Sequence, residues 1–271
     1  MKKTVLITGA SSGFGNDTVK LFQQKGWNVI ATMRSPENAK ELAGLPNVLP
    51  VRLDVTDKQS ITDAVNQGVA TFGSIDVLVN NAGFGAIGAM EAASDETIRQ
   101  QFGVNLFGLI DVTKAVLPTM RKNRSGIIIN VSSMGGKITI PFGSLYNSTK
   151  FALEGLTEGL QYELNPLGIK LKIIEPGSYR TNFNGTSLNF FGSGDLEDYK
   201  GIFEKFAVVA KQPGRGNSNI AEVSETIYKA ATDDSEQLRY PVGADAIALI
   251  QSKQDRGDVE FKKTMATHFG L

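Results

Sequence analysis

Short runs of β-branched and other apolar residues recur along the first two-thirds of the chain, at Val5–Thr8, Val29–Met33, Val48–Leu53, Val77–Asn80, Ile127–Val131 and Leu171–Glu175. Between them lie longer stretches whose apolar residues fall three and four apart. The stripe Ile61, Val65, Val69 and Phe72 follows Thr56-Asp-Lys-Gln59, which has the form of a capping box, and Ser94 with Asp95 and Glu96 opens a further helix. Apolar strands alternating with amphipathic helices predict βαβ units, hence a doubly wound parallel sheet covered on both faces: a three-layer α/β fold. After about residue 178 the texture changes. Asn, Gly and Ser accumulate over Thr181–Gly194, an aromatic amphipathic stretch follows, and a loose Lys211–Asn219 segment precedes further helical pattern. Residues 1–271 read as a single domain, with 179–219 a covering region on a regular scaffold.

Composition narrows the chemistry. A chain of 271 residues can bury a large core as one α/β domain. The 28 Lys+Arg balance 28 Asp+Glu, which leaves no electrostatic footprint for nucleic acid. With no Cys and only His268, a thiol nucleophile, a disulfide framework, a zinc-cysteine site and metal sites needing two or more imidazoles are excluded, which leaves only carboxylate-rich Mg²⁺ or Ca²⁺ sites conceivable, and no metal is expected. The apolar run behind Met1-Lys2-Lys3 is shorter than the ~7 residues of a signal-peptide core. No window approaches the ~18 apolar residues of a membrane span. These features predict a soluble, cytoplasmic protein without a membrane or nucleic-acid partner.

The first strand runs directly into Thr8-Gly9-Ala10-Ser11-Ser12-Gly13-Phe14-Gly15, and Val19, Leu21 and Phe22 then give the apolar face of a helix that ends at Gly26. A strand, a glycine turn and a helix in this order let backbone N–H groups approach a pyrophosphate. Two neighbouring patterns compete with that reading. Gly9-Ala-Ser11-Ser-Gly13 fits the hydrolase elbow G-x-S-x-G, with His268 downstream; the elbow needs an earlier strand to build its oxyanion hole, and nothing precedes residue 4. Gly83-Phe-Gly85-Ala-Ile-Gly88 is a literal G-x-G-x-x-G, but the next helix starts near Ser94, so it reads as a loop beside the site. The second strand ends Ala31-Thr32-Met33-Arg34, with no carboxylate before Glu37. An acid there would take the ribose 2′-hydroxyl of NAD; the guanidinium of Arg34 suits the 2′-phosphate of NADP, so NADPH is expected over NADH.

Tyr146 is followed at i+4 by Lys150 near the start of the helical pattern Leu145–Leu164, which puts both on one helix face. Ser133 lies just beyond the strand Ile127–Val131, so a strand's carboxyl end and a helix start converge at the ligand edge of the sheet. Taken in order, Thr8-Gly-Ala-Ser-Ser-Gly-Phe-Gly15, Asn80-Asn-Ala-Gly83, Asn105, Ser132-Ser133, Tyr146-Asn-Ser-Thr-Lys150 and Pro176-Gly177 resemble the compact form of the short-chain dehydrogenase/reductase family.

The resemblance implies a Rossmann-type fold and a set of roles. Tyr146 is the proton donor, or the base in the oxidising direction, and Ser133 holds the substrate oxygen. Lys150 binds the nicotinamide ribose and supports Tyr146, since lowering a phenol from about 10 to ~7 takes about 4 kcal/mol and needs cations close by. Asn105, flanked by Gly103 and Gly108, holds a water relay. Gly9, Ser11, Ser12, Phe14 and Gly15 form the phosphate turn, Asp54 and Val55 bracket adenine, Asn81, Ala82 and Gly83 run along the ribose, and Pro176, Gly177 and Thr181 position the carboxamide. Arg239-Tyr-Pro-Val-Gly-Ala-Asp245 is similar to a segment of relatives of steroid and retinol dehydrogenases.

Residues 179–206 hold seven aromatics (Tyr179, Phe183, Phe190, Phe191, Tyr199, Phe203 and Phe206), against 8% aromatics in the whole chain. They fit a lid over an apolar substrate; Leu196, Tyr199, Phe203 and Phe206 equally fit a helix packed on the core. With Met134, Pro141 and Phe142 nearby, the expected substrate is a bulky hydrophobic ketone, aldehyde or secondary alcohol. The rival reading is a non-catalytic NADP(H)-binding sensor, which needs the glycine turn but not Ser133, Tyr146 and Lys150. Family members often pair through the helices carrying Asn105 and Tyr146, and Phe151, Leu153, Leu156 and Leu160 offer an apolar face there, which predicts a homo-oligomer, dimer or tetramer.

Overall fold

A computed structural model describes residues 2–180, 188–212 and 216–271. Its strands are β1 (Thr4–Thr8), β2 (Asn28–Met33), β3 (Val48–Arg52), β4 (Val77–Asn80), β5 (Gly85–Gly88), β6 (Gly126–Val131), β7 (Ile169–Pro176), β8 (Leu188–Gly192) and β9 (Arg239–Val242). The helices are α1 (Gly13–Gln24), α2 (Lys40–Ala43), α3 (Lys58–Phe72), α4 (Asp95–Phe102), α5 (Leu109–Asn123), α6 (Ser144–Leu164), α7 (Glu197–Ala210), α8 (Ala221–Thr232) and α9 (Ala244–His268). Seven strands form one parallel sheet in the order β3-β2-β1-β4-β6-β7-β9, and β5 pairs with β8 in a small second sheet. Each crossover in the large sheet carries helix, so both faces are covered.

Alternation along the strands divides the core. Val5, Ile7, Val29, Ala31, Val77 and Val79 pack against Val19 and Phe22 of α1 and Val223 and Ile227 of α8. Leu6, Ile30, Leu78, Ile128 and Leu171 face the opposite layer, with Ile61 and Val65 of α3 and Val112, Val116 and Met120 of α5. The order of the sheet reverses beside β1, and the loops after β1 and β4 meet there, where an open α/β sheet binds its ligands.

Two local readings of the sequence are corrected and two are narrowed. Asp57, not Thr56, caps α3: its carboxylate accepts from the Gln59 and Ser60 N–H groups at 3.0 and 3.2 Å. Thr56 instead donates its hydroxyl to Asp54 Oδ1 at 2.7 Å, which removes it from the cap position. Gly83–Gly88 is not a plain loop, because Gly85–Gly88 forms β5 and pairs with Leu188–Gly192. Of the aromatics in 179–206, Phe203 and Phe206 pack with Phe142, and Phe206 also meets Phe269, so the α7 stripe serves the core. On α6, Leu153 and Leu160 turn inward while Phe151 is exposed, which narrows the expected apolar face. Among the described residues no helix is long and apolar enough to cross a membrane.

Candidate active site

The turn after β1 is pressed against the loop after β4. Gly9 has φ +68°, and a Cβ on it would stand 2.9 Å from Ala82 Cα; at Gly15 a Cβ would overlap the Gly9 carbonyl and stand 2.6 Å from Asn81 Nδ2. Thr8 joins the two loops, its hydroxyl accepting from the Asn81 and Ala82 N–H groups, both at 3.0 Å. Asn81 Nδ2 returns the contact, donating to the carbonyls of Thr8 at 2.9 Å and Gly9 at 3.2 Å. Ser12 precedes α1 in extended conformation without a side-chain cap, so the first-turn amides of α1 are not closed by their own cap residue. These features make a cradle that only glycine permits, suited to a phosphate at a helix start. Gly15→Ala is expected to destabilise the protein by about 2 kcal/mol through backbone overlap, seen as a lowered Tm.

Other positions around the turn are less uniform. Ser11 is exposed, and the ring of Phe14 packs edge-on against Tyr179 at 5.5 Å. Arg34 stands exposed at the end of β2, and its side chain makes no ion pair or hydrogen bond among the described residues. Asp54 Oδ1 accepts from the Thr56 N–H at 2.9 Å as well as the Thr56 hydroxyl, and Val55 is buried against Gly108. Pro176 ends β7; Gly177 donates its N–H to the Val242 carbonyl at 2.8 Å, and the Asp245 carboxylate fills the space where a side chain on Gly177 would go. Thr181 and Phe183 lie outside the described residues. His268 is exposed at the end of α9, edge-on to Phe269; it and Ser11 make no hydrogen bond to each other among the described residues.

At the carboxyl edge of β6, the Ser133 hydroxyl accepts from the Gly135 N–H at 3.0 Å and is hydrogen-bonded to Tyr146. One turn along α6, Lys150 is buried and donates from Nζ to the Val131 carbonyl at 2.9 Å, with Nζ 5.9 Å from the centre of the Tyr146 ring. The strand end and the helix start thus bring Ser133, Tyr146 and Lys150 together. Burial pushes the Tyr146 phenol up to about 12, against the opposing hydrogen bond from Ser133. Burial also brings Lys150 down to about 8, opposed by the charge of Glu154. The lowered phenol expected from the sequence is therefore not a property of these side chains alone: desolvation outweighs the hydrogen bond from Ser133.

Asn105 sits in a π-helical segment, Gly103–Gly108, that joins α4 to α5. Its Oδ1 accepts from the Phe84 N–H at 3.0 Å, while Nδ2 donates to the Phe84 carbonyl at 2.9 Å and the Thr149 hydroxyl at 3.1 Å. Both amide donors are spent inside the protein, so only the remaining lone pair of Oδ1 is left to receive a water. Gly83 lies between this amide and Lys150, with Oδ1 3.3 Å and Nζ 3.9 Å from the position of an added Cβ. The apolar wall is formed by Met134, Ile140, Phe142, Leu188 and Phe190, clustered with Tyr146. Phe142 has φ +57°, a left-handed conformation strained for an aromatic residue, and its carbonyl accepts from the Gly88 N–H at 2.9 Å.

Three supporting residues escaped the sequence reading. Thr8 holds the two loops, Thr149 ties Asn105 to α6, and Asn147 donates from Nδ2 to the carbonyls of Gly135 at 2.7 Å and Ile138 at 3.2 Å, fixing the turn that carries Ser133. Asn147 and Thr149 lie inside the Tyr146–Lys150 motif, which is the one signal that pointed towards them.

With this geometry in place, comparisons with known proteins agree on its class. The family model for short chain dehydrogenases matches residues 3–189. An uncharacterized oxidoreductase, YusZ, of Bacillus subtilis is 44% identical over 253 residues, covering 89% of each chain. A 3-ketodihydrosphingosine reductase of Bacteroides thetaiotaomicron is 38% identical over 239 residues, covering 88% of this chain and 87% of the relative. Among solved structures, a short-chain dehydrogenase from Streptomyces avermitilis superposes with a TM-score of 0.85 at 35% identity, covering 97% of this chain and 95% of that one. ElxO with NADP bound gives 0.75 at 29% identity, covering 92% and 100%. Other solved neighbours of the fold carry NADH or NAD. The chain belongs to the short-chain dehydrogenase/reductase family of oxidoreductases.

Proposed function

We propose that the protein is an NADP(H)-dependent oxidoreductase that moves hydride between the nicotinamide and a carbonyl or secondary alcohol on a bulky apolar molecule. The observation that carries this reading is the partly buried Ser133–Tyr146 hydrogen bond with the buried Lys150 ammonium one helical turn away. When bound, the nucleotide supplies or accepts the hydride. Tyr146, raised by burial and so protonated at neutral pH, gives its proton to the substrate oxygen as negative charge develops there, and the Ser133 hydroxyl donates a hydrogen bond to the same oxygen. Lys150, held by the Val131 carbonyl, provides the positive charge that favours the phenolate left behind. Asn105 locks the Gly83-Phe84 segment to α6 and offers its free lone pair to a proton-carrying water.

The residues present fit a dinucleotide: the cradle of Gly9, Ser11, Ser12, Phe14 and Gly15 would hold the pyrophosphate, Asp54 and Val55 the adenine, and Asn81, Ala82 and Gly83 the ribose. Tyr146 and Lys150 would meet the nicotinamide ribose, and Pro176, Gly177 and Thr181 the carboxamide. Arg34 supports NADPH, being exposed and unpaired among the described residues where an acid would favour NADH. The named ketone of the 3-ketodihydrosphingosine reductase relative and the Met134, Ile140, Phe142 and Phe190 wall support a bulky apolar carbonyl. Residues 179–219 would cover it. The reading extends to a cytoplasmic location and to a homo-oligomer, the second supported by the exposed Phe107 and Phe151.

The test is oxidation of NADPH and of NADH, followed by absorbance, across a panel of bulky and small ketones and aldehydes. Turnover with bulky apolar substrates, faster with NADPH, is the expected result. Tight NADPH binding with no turnover across the panel would favour the non-catalytic sensor.

A further inference from the structure

Directly beside the catalytic residues lies a second polar cluster that the mechanism does not use. Ser132 precedes Ser133, Glu154 stands one turn beyond Lys150, and Glu175 precedes Pro176; their relative exposures are 4%, 4% and 1%. Among the described residues Ser132 Oγ, Glu154 Oε1 and Glu175 Oε1 have no hydrogen-bond partner. A Cβ on Gly136 would stand 2.7 Å from Ser132 Oγ and 3.1 Å from Glu154 Oε1, so the turn that carries Ser133 rests on this cluster.

The groups facing the pair come from four elements. Arg239 at the start of β9 places Nε 3.0 Å from Glu154 Oε2 and Nη2 2.7 Å from Glu158 Oε2. Its Nε is 3.5 Å from Glu175 Oε1, within ion-pair reach. Lys137, after the Ser133 turn, borders a cleft of about 360 Å³ together with Glu175, Arg239 and the neutral Gln251 and Gln254 of α9. Lys150 and Glu158 share α6 with Glu154. Three carboxylates thus gather around one guanidinium, and two of them are buried side by side.

Two ionised carboxylates present only acceptors to each other, whereas a carboxylic acid supplies the O–H donor that the unpartnered oxygens lack. Burial, reinforced by the charge of Glu154, pushes Glu175 up to about 7. We infer that Glu154 and Glu175 hold one proton between them, and that the single buried negative charge left on the pair keeps the Lys150 ammonium charged beside Tyr146. Glu154 is thereby a positioning residue, acting on the reaction through Lys150. A structural ion-pair network on Arg239 alone would explain the Arg239 contacts, but it gives Glu154 Oε1 no donor and leaves Glu175 Oε1 only the 3.5 Å approach of a guanidinium Nε already bonded to Glu154. The role assigned to Lys150 rests on the active-site reading above; the shared proton does not.

The experiment is a pH titration by NMR of the nucleotide-free protein, labelled with carbon-13 at the glutamate carboxyls and at lysine Cε. In the wild type one carboxyl is expected to titrate well above the ordinary glutamate range, and this titration is expected to vanish in Glu175→Gln. Absence of any such carboxyl in the wild type overturns the shared proton, with no need for a variant to fold. In Glu154→Gln/Glu175→Gln, which removes the charge of the pair as well as its proton, the Lys150 signal is expected to titrate at lower pH, whereas Glu175→Gln alone, which keeps a charge on Glu154, leaves it near the wild-type position. A Lys150 titration unmoved in the double variant overturns the positioning role. These readouts need no substrate, so a protein that passes them yet reduces no carbonyl refutes the proposed activity and leaves this inference standing.

Discussion

Tyr146→Phe is expected to lower kcat for ketone reduction by about 10³-fold while leaving NADPH affinity within a few fold, because a positioned general acid contributes roughly 10²–10⁴. The substitution removes one oxygen and keeps the ring in its place against Met134, Ile140 and Phe142. Ser133 loses its bond to the phenol but retains the Gly135 N–H at 3.0 Å, so the turn that carries it stays closed and Tm should shift little. Stopped-flow NADPH oxidation together with a thermal melt separates lost chemistry from lost fold. A near wild-type kcat would remove Tyr146 from the role of donor.

The same side chains set a pH dependence that differs with direction. A phenol raised to about 12 is protonated at neutral pH, so reduction, which consumes that proton, begins from the abundant form. Oxidation needs the phenolate, and its rate is expected to climb with pH for as long as the phenol remains largely protonated. Lys150, brought down to about 8, loses its charge above that pH, so the reductive rate is expected to fall on the alkaline side, where the phenolate left behind lacks its cation. Initial rates in both directions between about pH 6 and 10 check the opposed slopes.

The sequence made the central strands legible because burial on both faces writes them as continuous apolar runs; Val5–Thr8 and Val77–Asn80 differ from the observed strands by at most one residue at an end. β9 escaped because it has four residues, one of them Pro241, and lies at the edge of the sheet. β5 escaped because Gly85-Ala-Ile-Gly88 has too little apolar bulk to look like a strand, and its partner lies a hundred residues further on, from Leu188. At α3 both Thr56 and Asp57 are good caps, and the choice was made by Asp54 capturing the Thr56 hydroxyl.

The site divides along the same line. Tyr146 and Lys150 share a helix face, so their spacing alone brings them together. Ser133 follows from its strand. The couplings that shape them are non-local: Thr8 reaches Asn81 across 73 residues, and Arg239 reaches Glu154 across 85. Arg239 through Asp245 was visible as a short resemblance without a role. Its first residue supplies the cation for the Glu154, Glu158 and Glu175 cluster, and its last accepts the Ser178 N–H at 2.7 Å, so the segment braces the back of the site from the sheet edge.

Cofactor choice is the feature most open to inversion by one residue. Arg34→Asp is expected to shift the ratio of NADPH to NADH affinity by about 10²-fold towards NADH. Charge-assisted hydrogen bonds contribute about 1.5–3 kcal/mol, and here a favourable contact to a 2′-phosphate is replaced by like-charge repulsion. The carboxylate would at the same time gain the ribose 2′-hydroxyl of NADH as a donor. Because Arg34 is exposed and has no ion pair among the described residues, removing it breaks nothing else, and the melt should be unchanged in the absence of nucleotide. Arg34→Ala separates the two contributions: it forfeits the attraction to the phosphate without adding the acid, so NADPH should weaken while NADH stays near its wild-type affinity. Fluorescence titration of the wild type and both variants with each nucleotide gives the six dissociation constants needed. An affinity ratio unmoved by Arg34→Asp would mean that the 2′ position is read elsewhere, and the NADPH preference would then lose its basis.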